Sequence, residues 1–184
     1  MFLPVPLLWD GQNSLKENFM IKHKDQRIGI LVDVSNMYHS AKNLYNKRVD
    51  FREVLKEAVA GRKLIRAIAY AIKTEKEEET SFFEALNQQG FEVKMKDLQI
   101  FAGGAKKADW DVGISVDAIK LASKLDVIVI VSGDGDYFPL VNYLQNTTGC
   151  LVEIMAFHQT ASSKLIEESD DFIDLSRSKK FLRE

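Results

Sequence analysis

The sequence holds a single cysteine, Cys150, so neither an intrachain disulfide nor a thiolate zinc cage can form. Cys150 leads the apolar run Cys150-Leu151-Val152 and reads as a small core hydrophobe rather than a nucleophile. Histidine is also scarce. His23, His39 and His158 stand far apart, with no metal-ligand spacing. No run is long enough for a membrane span: beyond Trp9 the longest strongly apolar stretch is Val127 to Val131, against the ~20 residues a spanning helix needs. Met1 to Trp9 is apolar but lacks a basic leading segment, and Pro4 and Pro6 interrupt it before Asp10 ends it, so it does not read as a signal peptide. A soluble chain in a reducing, cytoplasmic setting, with no membrane partner, is the expectation.

Charge of one sign is lacking too. The 25 Lys and Arg against 27 Asp and Glu leave a net charge of −2, which excludes a strongly basic binder of nucleic acid. At 46% hydrophobic residues the chain is too apolar to be disordered. Its 184 residues suit one domain burying roughly 70% of the unfolded chain's surface. Residues 1–26 hold two of the three prolines and show no sustained period beyond Trp9, so they read as an arm that packs its apolar tip on the domain or on a second subunit. A homo-oligomer is therefore one expectation, and residues 27–184 form the domain.

From Ile28 onward, strand and helix patterns alternate. Apolar runs at Ile28–Asp33, Leu64–Ile72, Phe91–Met95, Asp126–Val131 and Leu151–Ala156 read as strands. Helical spacing occupies Ser35–Tyr45, Phe51–Ala60, Glu75–Gln89, Trp110–Lys124, Tyr137–Gln145 and Ser162–Glu168. Asp50 caps the second helix and Gly61 ends it, while Gly90 ends the third. In the Trp110 helix the period places Val112, Ser115, Val116, Ile119 and Ala122 inward. Asp97–Ala108 reads as a loop, and Phe172–Leu182 as a last strand with a frayed helix. Such alternation predicts an α/β fold with a mostly parallel sheet covered on both faces. Ligands of such sheets bind outside the carboxyl ends of the strands.

Three segments deliver acids to that edge. The first strand ends in Asp33-Val34-Ser35-Asn36, the central strand in Ser132-Gly133-Asp134-Gly135-Asp136, and the helix before it opens with Asp109-Trp110-Asp111. A single Asp at a strand end is ordinarily a turn former or a cap. Several in one cleft repel one another unless protons or cations sit between them, and converging oxygen ligands suit a hard cation such as Mg²⁺ or Mn²⁺. Asp117 follows Asp111 by about 600° of helical rotation and about 9 Å of rise, so a surface pair with Lys120 competes with a place in the cleft.

Other motifs match less well. Gly103-Gly104-Ala105-Lys106-Lys107 lacks the spacing of a phosphate loop, although two lysines after two glycines suit a segment that offers charge to a phosphate. In Asp33-Val34-Ser35-Asn36-Met37 a thioether stands where an integrin-like metal-adhesion site needs a second Ser. Ser35 stands where a haloacid-dehalogenase-type phosphatase needs a second Asp. The first strand is not followed by the paired acids of a response-regulator receiver.

The three acidic segments, extended to Val32–Asn36, Lys107–Asp117 and Val131–Val141, resemble those of the NYN domain in family order. The LabA-like (DUF88) branch of the PIN-like nuclease superfamily is the nearest match, over roughly residues 27 to 175. That resemblance implies a Rossmann-like α/β/α sandwich with a Mg²⁺- or Mn²⁺-dependent acidic site that hydrolyses RNA phosphodiesters, typically leaving 5′-phosphate and 3′-hydroxyl ends. It also implies roles: Asp33, Asp111 and Asp134 as metal ligands, Asp136 binding directly or through water, and Asn36 orienting the scissile phosphate or a water on the ion. Asp117 matches a recurrent family acid. Where the family often has Lys-Gly-Val-Asp, this chain has Lys107-Ala108-Asp109-Trp110-Asp111; the downstream spacing favours Asp111 over Asp109. Ser35 and Ser132 are expected around the substrate or behind the ligands. Lys106 and Lys107, helped by Lys22, Lys24 and Arg27, are expected to hold flanking phosphates of single-stranded RNA. A non-catalytic RNA- or nucleotide-binding module on the same fold is the rival expectation, and a phosphatase or DNA nuclease a third.

Overall fold

In the computed structural model the elements run β1 (Arg27–Asp33), α1 (Val34–Tyr45), β2 (Arg48–Val49), α2 (Phe51–Val59), β3 (Lys63–Lys73), α3 (Glu78–Gln88), β4 (Glu92–Asp97), β5 (Gln99–Ile100) and β6 (Lys106–Lys107). They continue with α4 (Asp111–Ala122), β7 (Val127–Val131), α5 (Phe138–Tyr143), β8 (Leu151–Ala156), α6 (Ser163–Glu168), β9 (Asp171–Asp174) and β10 (Leu182–Arg183). The structure describes residues 22–73, 78–100, 106–107 and 109–184. Most of the expected arm, the start of the Glu75 helix, Gly103-Gly104-Ala105 and Ala108 lie outside the described residues.

Six strands pair in the order β4-β3-β1-β7-β8-β9, each parallel to its neighbours. Their side chains alternate between two apolar layers, which is why these runs are apolar throughout rather than amphipathic. Ile28, Ile30, Val32, Val127, Val129 and Val131 meet Met37, Val54 and Leu86 of α1, α2 and α3. On the other face Leu31, Ile128 and Ile130 meet Ile114, Ala118 and Val141 of α4 and α5. Counted in chain order, the six strands lie 3-2-1-4-5-6, the doubly wound order. The winding reverses between β1 and β7, so a crevice opens there at the carboxyl ends. β1 ends at Asp33 and β7 runs into Ser132-Gly133-Asp134.

Several local expectations hold. Asp50 Oδ1 accepts the N–H groups of Arg52 and Glu53 at 3.1 and 3.2 Å, capping α2. Cys150 is buried, its thiol donating toward the carbonyls of Ala122 and Leu125 at 3.2 Å each. Among the described residues no helix is long and apolar enough to cross a membrane.

Other expectations are corrected. In α4 the inward residues are Ile114, Ala118, Leu121 and Ala122, whereas Val112 is 73% exposed and Val116 and Ile119 face solvent. The helix carries two apolar stripes, so period alone leaves its rotation open. Trp110 chooses between them: its ring lies where a Cβ on Gly113 would be only 2.6 Å away, turning that side of the helix onto the sheet. Within the expected 97–108 loop, Gln99–Ile100 pairs antiparallel with Lys106–Lys107. In the tail, β9 is followed by short 3-10 turns rather than a frayed helix, and β10 pairs antiparallel with β2.

β8 carries one charge into the core. Glu153 is fully buried and receives Arg62 bidentately, Nη1 to Oε1 at 2.5 Å and Nη2 to Oε2 at 2.9 Å, with both side chains at 0% exposure. Arg62 also donates to the carbonyls of Ala58 and Val59 at 2.6 and 3.2 Å, which closes the end of α2.

Candidate metal centre and active site

The residue that ends β1 also starts α1. Asp33 Oδ1 accepts the Asn36 N–H at 3.0 Å, a helix N-cap that fixes one carboxylate oxygen at the carboxyl edge of the sheet. Asp134 does the same after β7, its Oδ1 accepting the Asp136 N–H at 3.0 Å to start a single 3-10 turn. Capping and cleft-lining are thus one arrangement: each cap uses Oδ1 and leaves Oδ2 for other work. Asn36 ties the two strand ends together, its Oδ1 accepting the Gly133 N–H at 3.1 Å. That contact turns the amide oxygen toward Gly133 and leaves the two NH₂ donors of the side chain without an acceptor among the described residues.

Oxygens of Asp111, Asp134 and Asp136 all lie within 4.8 Å of one another. None of the three has a salt-bridge partner among the described residues. Asp33 stands beside this group: Tyr137 Oη lies 3.1 Å from Asp111 Oδ1 and 3.4 Å from Asp33 Oδ2. One phenol has one proton, and the shorter contact assigns it to Asp111. Burial, then the charges of Asp111 and Asp134, push the Asp33 carboxyl above its ordinary value. Burial and the neighbouring acids likewise raise Asp111. The buried Tyr137 hydroxyl is pushed up as well, by burial and the same carboxylates, so it stays a donor. A cleft of about 180 Å³ gathers Asp33, Ser35, Asn36, Asp109, Asp111 and Asp134, walled by Ile72, Trp110 and His39.

This donor set fits a hard cation. An oxygen shell at about 2.1 Å puts opposite ligands about 4.2 Å apart, close to the spread of the three carboxylates. Mutual repulsion that raises proton affinity is the same field that attracts a divalent cation.

Gly133, just before Asp134, is required by a close backbone crossing. A Cβ on Gly133 would lie 2.9 Å from Ala161 Cα and 3.1 Å from Thr160 O, where Ser162 N–H donates to Gly133 O at 2.9 Å. Gly133→Ala should therefore destabilise the fold by about 1–3 kcal/mol, read from the urea midpoint. Gly135→Ala should be milder, because the nearest atom there belongs to the Ser162 side chain. Equal midpoints for wild type and Gly133→Ala would mean the crossing is not tight.

Not every expected residue comes to the cleft. Asp117 receives Tyr70 Oη at 2.8 Å and Lys94 Nζ at 2.6 Å, outside the three-carboxylate group, so its ion-pair partner is Lys94 rather than the Lys120 weighed against a place in the cleft. Ser132 is fully buried beneath the turn, its Oγ accepting the Asp134 N–H at 3.2 Å, so it shapes the turn rather than facing a substrate. Lys22 pairs with Glu153 and Asp171 at 3.5 and 3.2 Å, and Arg27 with Asp126 at 2.7 Å, a contact that holds the Asp126 carboxyl down at about 2. With Lys24 these residues sit at the amino edge of the sheet. β1 alone separates the edges by about 20 Å, so they cannot assist chemistry beside Asp33. The side chains of Lys106 and Lys107 lie outside the described residues. Conversely, His39 and Tyr137 reach the site unannounced. His39 follows Asn36 by three positions on a helix, and that spacing was the available signal.

The NYN domain model matches residues 27–176. The chain belongs to the NYN domain family. It is 25% identical over 168 residues to the low amplitude and bright protein LabA of Synechococcus elongatus, a similarity covering 86% of this chain and 89% of LabA. It is also similar to the crystal structure of a Vibrio parahaemolyticus protein of unknown function, at a TM-score of 0.81 and 33% identity, covering 89% of this chain and all of that one. The NYN match spans all three acidic segments, so the fold and the LabA-like resemblance seen in the motifs both hold.

Proposed function

We propose that this chain is a metal-dependent ribonuclease that hydrolyses phosphodiester bonds of single-stranded RNA. The observation that carries the reading is the group formed by Asp111, Asp134 and Asp136, three carboxylates within 4.8 Å at the winding reversal of an NYN sheet. Asp111, Asp134 and Asp136 would hold a Mg²⁺ or Mn²⁺ ion, which when bound supplies charge on the phosphoryl oxygens and a water acidic enough to attack.

Each remaining role follows from this chain's own contacts. Tyr137 donates to Asp111 and leaves Asp33 Oδ2 the less satisfied of the two oxygens it faces. Asp33, whose proton affinity is raised, is suited to take the proton of the attacking water. The Asn36 NH₂, held in place by the Gly133 N–H, is suited to donate to a non-bridging phosphate oxygen. In that step a water oxygen would bond to phosphorus as the phosphorus–O3′ bond breaks, the water's proton passing to Asp33 and the leaving O3′ taking a proton from solvent water, so that the products carry a 5′-phosphate and a 3′-hydroxyl.

The test is incubation of labelled single-stranded RNA with Mg²⁺ or Mn²⁺, comparing wild type with Asp134→Asn. The wild type should cleave and the variant should not. Equal cleavage by both proteins would remove the assignment, and binding without turnover would favour a regulatory module instead.

A further inference from the structure

An acidic cleft that works on RNA needs a positive contact for the strand on either side of the scissile bond, and the amino-edge cations are too far away to supply it. β4 supplies one. It is the edge strand next to β3, and register places Lys96 beside Ile72, a wall of the cleft. Lys96 Nζ donates to Asp109 O at 3.1 Å and lies over the Trp110 ring, 5.6 Å from its centroid. Lys96 therefore touches or neighbours three residues that line the cleft. A carbonyl and an indole orient the ammonium without neutralising it. Lys94, two residues earlier, differs: its ammonium is paired with Asp117 at 2.6 Å.

Trp110 is held as the platform for this lysine. Its Nε1 donates to Ala71 O at 2.9 Å, Tyr70 meets it edge-on at 5.2 Å, and Gly113 lies against it. With Lys96 over the ring and Gly113 against it, Trp110 serves as a support for the ammonium rather than as a stacking surface for a base.

We infer that Lys96, set on the Trp110 ring at the β4 rim of the cleft, is the binding site for a phosphodiester of the single strand flanking the scissile one. The inference rests on the polynucleotide reading above and names how the strand leaves the cleft: from the β1/β7 reversal, past the end of β3, to the edge strand. Such a contact is made to a phosphate and so is blind to base and sugar.

Two assays on the full chain test it. The first measures binding of a fluorescein-labelled oligouridylate, and of its DNA counterpart, in an Asp134→Asn background across a salt series. The second measures cleavage of the same RNA in an otherwise unchanged chain with Mn²⁺. Lys96→Met keeps an apolar stem on Trp110 and removes the charge; it should weaken binding of both strands about five- to tenfold and lower the salt slope by about 0.7. In cleavage it should raise KM by a similar factor with kcat little changed. Lys96→Arg should restore most of the affinity, and Lys24→Gln, at the opposite edge, should match its parent. Unchanged affinity and slope in Lys96→Met would overturn the inference, as would a parent that binds neither strand. Lys96-dependent binding by a chain that cleaves nothing would uphold the subsite and remove the ribonuclease reading.

Discussion

Asp111→Asn should make the cation-free protein more stable near neutral pH and, at the same time, abolish its response to Mg²⁺ or Mn²⁺. Burial and the charges of Asp134, Asp109 and Asp136 raise the Asp111 carboxyl above its ordinary value of 3.8. A group whose folded value is raised contributes stability that is fully present below the unfolded value and lost as pH rises through the folded one. Above that window the ionised Asp111 works against the fold, and asparagine removes that repulsion. Its amide oxygen can still accept from Tyr137, which donates to Asp111 Oδ1 at 3.1 Å, so the local geometry has little reason to change. The opposite effect follows from ligand linkage. A cation at about 100 times its dissociation constant stabilises the folded state by about 2.7 kcal/mol. The wild type should show a gain of that order in millimolar Mn²⁺, larger at pH 7 than at pH 4, and Asp111→Asn should show almost none. RNA cleavage by the variant should fall by at least about 10²-fold, because the ion that would stabilise charge on the phosphodiester is no longer held. Thermal melts with and without Mn²⁺ at the two pH values decide the matter. A wild type whose Tm ignores the ion, or a variant that responds equally, would remove Asp111 from the metal site.

That design was partly legible in the sequence. Strands β1 and β7 could be read because they are buried on both faces, and a doubly buried parallel strand shows as an unbroken apolar run. The acids after them could be placed at one edge because parallel strands all end on the same side. Spacing to the downstream acids favoured Asp111 over Asp109, and the carboxylate group contains Asp111. Less legible was everything that depends on rotation or on distance across the sheet. Helix α4 has apolar residues on two sides, so the choice between Val112, Val116 and Ile119 and the buried Ile114, Ala118 and Leu121 belongs to the Trp110–Gly113 contact. Lys22 and Arg27, expected to help hold flanking phosphates, lie shortly before Asp33 in sequence, but a strand carries its two ends apart, and so they lie at the wrong edge. Lys96 stands 13 positions before Asp109 on a strand that shows no motif of its own, and the β3–β4 register sets it beside the cleft wall. Glu153 sits among residues typical of a central strand, and its buried partner is 91 positions away.

That partner, Arg62, leads to the largest stability effect expected in the fold. Glu153→Leu should destabilise the protein by about 3–5 kcal/mol, because it leaves a guanidinium buried with only the carbonyls of Ala58 and Val59 to accept from it. That is a large part of a typical domain's ~5–15 kcal/mol. Arg62→Met should cost less. A buried carboxylate can escape by taking up a proton, whereas a guanidinium cannot lose one, and Lys22 Nζ already stands 3.5 Å from Glu153 Oε2. Pairing the two substitutions should then recover stability. The double variant replaces a buried ion pair by apolar groups while Lys22 keeps Asp171 as a partner, an exchange that is often neutral or favourable. Urea unfolding of the four proteins forms a double-mutant cycle. Strong coupling, with the double variant more stable than Glu153→Leu alone, means that the cost of the single change lies in the uncompensated charge. Additive losses would mean instead that shape and volume at this position, rather than charge pairing, hold the end of α2 against β8.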